Sequence, residues 1–584
     1  MVARTAVRPL AVIASLAALL ALSPGRAAAQ SAAVLAGTAR SQDGTPLAAR
    51  VAFAPDGGTV AAATTADASG RFRLEIPAGT PGVLQLAALG HSPAEVRIPA
   101  LAAGATRRVA ATLATLHVLD AVTVVARRER PLLNTENAAT GGALEAEELE
   151  ALPTDAREPL SLAFTIPGVA QATGFFGDAP PLSIAGGNAL YTQYTLDGLD
   201  NNEGFLGGPR VELPLGALAR LEVLASTYSS SFGRSSNGVV NAESRAGGTR
   251  WRGDAFGYLR PGTPFDADPK VAPAGVDPDG FQRFQLGASA SGAPLRDRLF
   301  VALAAEYTNE DEDRIGSTAQ TAFIGTEQRE KVKLFGRADW GWSPTQTTTL
   351  RFAASHVNRA GRGSGVVVPE ADITTRRIGT LAALTHRSAL GGGAASNIVS
   401  LQFGTYRWYF PPTRSDFTRP QVQILDPTDS TVQAIVGSSN FVFDETERQL
   451  QLRNVFETAL GERHRLRAGA DVVRSWFYLD GANTNPSGAY RVFNDGNIVR
   501  SDDFLSIEDV PDDVRVLDYT IDARPQQVDL AQTLVGAFVE DVWRVTPSLT
   551  LTAGLRWDYD DITSRGESDP DLNNVQPRVA FNWY

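Results

Sequence analysis

From Trp251 onward one pattern recurs: stretches of about ten residues in which apolar and polar side chains alternate. Val332, Leu334, Gly336, Ala338 and Trp340 fall on one face; Lys331, Lys333, Arg337 and Asp339 fall on the other, with Phe335. Leu466, Ala468, Ala470, Val472 and Trp476 alternate with Arg465, Arg467, Gly469, Asp471 and Ser475. Leu549, Leu551, Ala553, Leu555, Trp557 and Tyr559 alternate with Thr550, Thr552, Gly554, Arg556 and Asp558. In a water-soluble sheet the apolar face would meet a second sheet. Here the strands are joined alternately by tight connections (292–296, 343–346, 546–548) and by long polar stretches (261–280, 308–328, 411–447, 480–527). Short turns on one side and long loops on the other, with aromatics near the strand ends, suit a transmembrane β-barrel. Beyond the N-terminus no run approaches the ~20 apolar residues of a membrane helix. A membrane location therefore requires a closed barrel, whose backbone polar groups pair internally.

The first 29 residues read as a cleaved signal. Arg4 and Arg8 precede an apolar run from Leu10 to Leu22, too short to span a bilayer, and Ala27-Ala28-Ala29 offers small residues for cleavage. Residues 31–117 carry alternating stretches such as Phe72-Arg73-Leu74-Glu75-Ile76, separated by turn signals at Asp43-Gly44, Ser69-Gly70 and Pro81-Gly82. That spacing predicts a small β-sandwich of about seven strands. His91 and His117 are isolated and read as ordinary histidines rather than ligands. Residues 118–130 form a join: Asp120, Val122, Thr123, Val124 and Val125 are β-prone and run into Arg127-Arg128-Glu129-Arg130. This stretch reads either as the last strand of the sandwich or as an extended peptide that pairs with a partner's sheet edge.

Residues 131–248 differ again. An acidic helix is expected over 144–152, ended by Pro153, and a second from Leu160 to Phe164. Leu221, Val223 and Ala225 alternate with Arg220, Glu222 and Leu224 as a strand, and Asn237-Gly238 before Val239-Val240 predicts a turn feeding another. Between Leu196 and Arg245 apolar residues are too sparse for an ordinary core, which suits a compact body whose outside touches polar walls. Arg157, Arg220, Arg234 and Glu243 are candidates to pair with charges on such a wall, or are solvated surface charges.

These residues carry a family resemblance. Leu196-Asp197-Gly198, Leu221-Glu222-Val223, Tyr228 and the run from Phe232 to Asn241 resemble the plug domain of TonB-dependent outer-membrane receptors. The likeness is to the Oar-like group, with its N-terminal carboxypeptidase-regulatory-like domain. Gly37-Thr38-Ala39, Gly44-Thr45-Pro46-Leu47 and the run from Asp67 to Phe72 resemble that domain. Segments from Gln285 to Phe300, Ala537 to Tyr559 and Asn573 to Arg578 resemble the barrel. One departure is Ser183-Ile184-Ala185-Gly186-Gly187, where the family has an Arg before the Gly.

The resemblance implies a mainly β chain: a signal (1–29), a β-sandwich (31–117), a TonB-box-like linker (118–130), an α/β plug (131–248) and an antiparallel transmembrane barrel (249–584). Position and resemblance favour the TonB box for Asp120 to Val125. The implied partners are TonB with its inner-membrane energising complex, outer-membrane lipid and an unidentified solute. The implied place is the outer membrane, with the N-terminal domain in the periplasm. The rival reading is a barrel-anchored surface binding or adhesion protein that transports nothing.

About twelve barrel strands are countable, whereas the family's plugged barrels have about 22. Counting back by twos from Tyr584 meets Asn582, Ala580 and Arg578, not an apolar row, so the chain is expected to stop mid-barrel. A closed twelve-strand barrel is the alternative, with a lumen narrow for so large a plug.

A net charge of −12 argues against a nucleic-acid-binding surface. With no cysteine, disulfides and thiolate metal sites are excluded. No nucleophile elbow, zincin motif or phosphate loop is present, so neither catalysis nor a cofactor is expected. The run Glu310-Asp311-Glu312-Asp313 lacks the spaced ligands of a calcium loop and reads as a solvated loop.

Overall fold

The computed structural model describes residues 32–583 with breaks, the longest at 125–138, 173–181, 264–279 and 564–570. The signal segment, His91, Asp120 and Val125 lie outside the described residues. The chain divides into two compact units, the first ending at Leu113.

In the first unit, alternation becomes seven strands: β1 (Ala32–Ser41), β2 (Arg50–Pro55), β3 (Ala62–Thr65), β4 (Arg71–Pro77), β5 (Gly82–Ala87), β6 (Ala94–Ile98) and β7 (Thr106–Leu113). They form sheets of order β4-β1-β7 and β3-β2-β5-β6. The inward rows, including Leu35, Phe53, Leu74, Ile76, Leu84 and Leu86, are buried. Then β8 (His117–Leu119) and β9 (Val122–Val124) pair antiparallel with each other, as a two-stranded sheet among the described residues.

In the second unit, a five-stranded plug sheet comes first. Its members are β10 (Thr140–Glu145), β13 (Thr192–Leu196), β14 (Leu199–Asp200), β15 (Leu218–Ser226) and β16 (Gly238–Ser244), in the order β10-β15-β16-β13-β14. Between β10 and β13 lie helices α1 (Ala146–Ala151) and α2 (Pro159–Leu162) and a small pair, β11 (Val169–Gln171) with β12 (Leu182–Ile184). The expected acidic helix is thus shorter, because Leu144 and Glu145 belong to β10 and Glu145 closes a capping box with Glu148. The second helix likewise stops at Leu162.

The expectation of a sparse plug core is corrected. Leu144, Leu149, Leu162, Ile166, Ile184, Leu196, Leu221 and Val223 are buried together. Eight members of this core precede Leu196, outside the stretch on which the expectation rests, and nine lie within that stretch, gathered by the sheet from positions spread along it. Wall residues Ala304, Phe335, Ala353 and Leu381 join the cluster.

The wall is a twelve-stranded antiparallel sheet. It runs β17 (Arg252–Pro261), β18 (Phe281–Leu295), β19 (Leu299–Ser317), β20 (Ala322–Ser343), β21 (Gln346–Ala360), β22 (Thr374–Leu390), β23 (Ala395–Tyr409), β26 (Val442–Leu460), β27 (His464–Ala482), β30 (Gln526–Thr546), β31 (Leu549–Asp560) and β32 (Val575–Trp583). Leu303, Leu334, Leu350, Leu401, Leu452 and Leu555 are exposed on the outer face, while Lys333, Phe335, Asp339, Arg467, Asp471 and Arg556 are buried on the inner one. Trp251, Trp342, Trp543 and Trp583 mark the tight-turn end of the outer face and Tyr258, Trp476 and Tyr478 the other, the girdles of a lipid-facing band.

Three expectations about this region change. Residues 308–328 are not a loop: β19 and β20 stay paired out to Ser317↔Ala322. Glu310 is accordingly a strand residue, held by Arg283 at 2.7 Å and Arg329 at 3.2 Å. The two longest polar stretches are folded. They supply β24 (Gln421–Leu425) with β25 (Val432–Gly437), and β28 (Ala489–Phe493) with β29 (Val516–Thr520), which join as one sheet of order β25-β24-β28-β29. Val422, Ile424, Val436, Val492 and Leu505 form its core with Val368 of the preceding loop. Glu370 Oε1 ties the loops together by accepting from Gly437 N and Ile507 N, each at 2.7 Å. Finally, β32 does alternate, one residue out of phase with the count from Tyr584. Val575, Val579, Phe581 and Trp583 are exposed, and Arg578 turns inward to donate to Ser229 O at 2.9 Å.

Candidate functional site at the plug seam

The Leu196-Asp197-Gly198-Leu199 motif is a two-residue hairpin joining β13 to β14, with Leu196 opposite Leu199. Asp197 and Gly198 have φ of 49° and 75°, a pair of left-handed residues that Asp-Gly tolerates and whose twist suits adjoining strands. The turn aims the Asp197 carboxylate at two elements. It accepts from Ser244 N at 2.8 Å and Ser244 Oγ at 2.6 Å, closing the plug sheet, and it pairs with Arg351 of the wall. Arg337 reaches the same spot, donating to Ser244 O at 3.0 Å. Burial pushes the Asp197 carboxyl up, but Arg351 and Arg337 outweigh it and hold the group below the usual carboxylate range.

Asn237 and Asn241 do the internal work of the Asn-rich end of the motif. Asn237 Oδ1 accepts from Ile184 N at 3.1 Å, and Asn241 Oδ1 accepts from Thr195 Oγ1 at 2.7 Å and Gly198 N at 3.2 Å. A side chain at Gly187 would collide with Asn237 Oδ1, 2.1 Å from where its Cβ would stand.

Three further clasps join plug to wall. Arg210, in the loop after β14, is fully buried and pairs with Glu447 at 2.6 Å, with a second bond to Gln449 at 2.9 Å. Glu158 meets Lys331 and Lys333, each at 2.8 Å, and Glu212 meets Arg377 at 2.9 Å and Lys331 at 3.5 Å. Burial raises the Glu212 carboxyl, yet Lys331, Arg377 and Lys333 drive it well below its ordinary value. Near β31, Arg234 pairs with Asp471, which also faces Arg556 at 3.5 Å. Ser229 Oγ and Ser230 N donate to Glu540 at 2.8 and 2.6 Å.

Of the candidates from sequence, Arg157 bonds Glu306 of β19 at 3.1 Å and lies 4.0 Å over the Phe256 ring, and Arg234 meets Asp471. Arg220 and Glu243 stay within the plug sheet. Arg220 faces Glu243 across the strands and pairs with Glu222 at 2.9 Å and Glu145 at 3.6 Å. Asp197 stands in the Leu196-Asp197-Gly198 motif that carries the resemblance, but no wall partner is expected for it from sequence; Arg210, Glu158 and Glu212 are not singled out there at all. The inward rows of the wall, such as Lys331 with Lys333, were readable from alternation, but which plug loop each row meets is set by distant segments. In the join after the first unit, Val122 to Val124 pair with Leu119 to His117. Among the described residues no cluster of side chains is arranged to hold a metal ion.

Comparison with known proteins gives this arrangement relatives. Residues 135–240 match the family described as TonB-dependent Receptor Plug Domain, and residues 314–580 match an Outer membrane beta barrel domain. The TonB-dependent transporter Oar of Myxococcus xanthus is 22% identical over 503 residues, covering 70% of this chain. The chain spans about half of that relative, 46% of its length. Among solved structures, the outer-membrane transporter YddB from Escherichia coli superposes with a TM-score of 0.56 at 15% identity, over 76% of this chain and 58% of the other. A ferric enterobactin receptor from Pseudomonas aeruginosa gives 0.50 at 16% identity, over 76% of this chain and 60% of its own. At such identities the solved structures show the fold alone.

Proposed function

We propose, from the premise that this chain belongs to the TonB-dependent receptor family by its plug and outer-membrane barrel domains, that it imports a solute across the outer membrane. The observation carrying this reading is the chemistry of the seam. The plug is seated in the wall by buried ion pairs of both polarities: Arg210 with Glu447, and Glu158 and Glu212 with Lys331, Lys333 and Arg377. Buried pairs define one position sharply, yet add little net adhesion, because desolvation cancels much of their attraction. A plug so held sits in one register and can still be displaced by work from outside.

In this reading the work comes from TonB at Asp120 to Val125, by main-chain pairing with an extended strand. The sandwich and this segment then lie on the periplasmic side. Val124→Pro tests it, since proline removes a backbone donor and fixes φ. In the full-length protein, solute binding at the surface is expected to stay intact while energised uptake falls to background. Normal uptake by a stable variant would remove the coupling role. A receptor that binds and never takes up solute, with or without the substitution, would favour the adhesion reading.

A further inference from the structure

At the tip of the plug, Phe205 projects from the loop after β14 into a group of wall rings. Its centroid lies 5.2 Å from that of Phe443 and 6.2 Å from that of Trp408. Three carboxylates share this place. Glu203 folds the tip, accepting from Phe205 N at 2.8 Å and Gly208 N at 2.9 Å. Glu447 is taken by Arg210 at 2.6 Å and by Gly204 N at 2.9 Å. The third, Glu445, differs. It sits directly across the strands from Trp408 and is only 3% exposed. Its Oε2 is buried without a hydrogen-bond partner. Around it the charged neighbours are Glu203, Glu447 and Arg210, one cation among three carboxylates.

Arg210 is already paired with Glu447, so the three carboxylates outnumber their cation; such a buried excess is costly, and removing it takes either a proton or a further cation. Aromatic faces beside a carboxylate favour an organic cation, which gains from the ring quadrupoles as well as from the charge. The outer loops point the same way. The described residues of 485–521, which supply β28 and β29, carry six Asp and Glu against three Arg, a field that concentrates cations at the mouth.

We propose that the solute presents an organic cation, an ammonium or guanidinium on a short stem, and that Glu445 receives it beneath the plug tip, with the Phe205 ring moving off Trp408 and Phe443 to admit the stem. This rests on the import reading for its physiological sense, but binding alone tests it. Purified full-length protein in detergent micelles is titrated with Nα-acetyl-argininamide and with its uncharged counterpart Nα-acetyl-citrullinamide. The arginine probe is expected to bind at least ten-fold tighter. Glu445→Gln, an isosteric change, is expected to abolish that preference and leave the citrulline probe unaffected. Phe205→Ala is expected to strengthen binding of the arginine probe. Equal binding of the two probes by the unaltered protein overturns the proposal without need of any variant, as does a preference that survives Glu445→Gln in folded protein. Charge-selective binding without energised uptake would count against import alone. Uptake without charge selectivity would count against this site alone.

Discussion

The N-terminal unit and the plug seam bury their side chains by opposite rules. Across residues 32–113 the interior is a set of alternate-position apolar rows, with Leu35, Phe53, Ile76, Leu84 and Leu86 almost fully enclosed. Among its described residues the only buried polar side chain is Ser41. At the seam, Arg210, Lys333 and Arg556 are among the most completely buried large side chains of the chain. Apolar burial is non-directional and rewards contact of any register. A buried charge tolerates only the arrangement that pairs it. The first rule makes a stable apolar core. The second makes a seat that is specific without being strongly adhesive.

The contrast breaks most visibly at Arg210. Arg210→Ala strands Glu447 in the seam, and loss of one partner of a buried pair costs about 3–5 kcal/mol. The expected result is a plug cleaved by protease at much lower urea, while β1 to β7 keep their protection. If the plug of Arg210→Ala were as resistant as the unaltered one, the pair would be no more than a solvated contact.

The matching test in the other region is Leu35→Ala, which empties a core position and costs about 3 kcal/mol. Here the lower urea midpoint belongs to residues 32–113, and the plug and wall are expected to be unchanged, because the chain divides into two compact units. A coupled loss in both would show that the units fold as one.

Per pH unit the smallest effect of the three, a titration sharpens the comparison further. Burial, opposed by Arg220 and reinforced by Glu222, Asp197 and Glu145, pushes the Glu243 carboxyl up to about 9. The folded plug thus keeps a proton that the unfolded chain releases at the ordinary glutamate value of about 4.3. Folding then binds more protons than unfolding through this window. The stability Glu243 contributes is present in full below the ordinary value and is lost as pH climbs towards the raised one, by at most about 1.4 kcal/mol per pH unit. Glu243→Gln is expected to flatten that slope between pH 5 and 8, read from plug unfolding midpoints across pH. An unchanged slope would place the titration elsewhere.

Much of the wall was legible beforehand because a strand's two faces are set by the parity of its residues. Lys333 inward and Leu334 outward follow from their neighbours alone. Parity also explains where the reading slipped. A count begun at Tyr584 put Arg578 on the lipid face, and a start one residue earlier turns the whole of β32 over. Residues 308–328 looked like a loop because Glu310 to Asp313 are charged, yet the chain keeps pairing there, and Arg283 and Arg329 supply partners for Glu310.

Local sequence therefore determined the period of the strands and the Asp197-Gly198 turn, since each depends on residues a few positions apart. Tertiary structure decided which charges meet. Arg210 finds Glu447, 237 positions along the chain, while Arg220, no less promising as a wall contact, turns to Glu222 beside it. It also decided that two polar loops, 411–441 and 483–525, close on one shared sheet and core. Charge and apolarity are written in each residue, but a partner is a matter of position in space, and position is set only when the plug sheet and the wall have folded around one another.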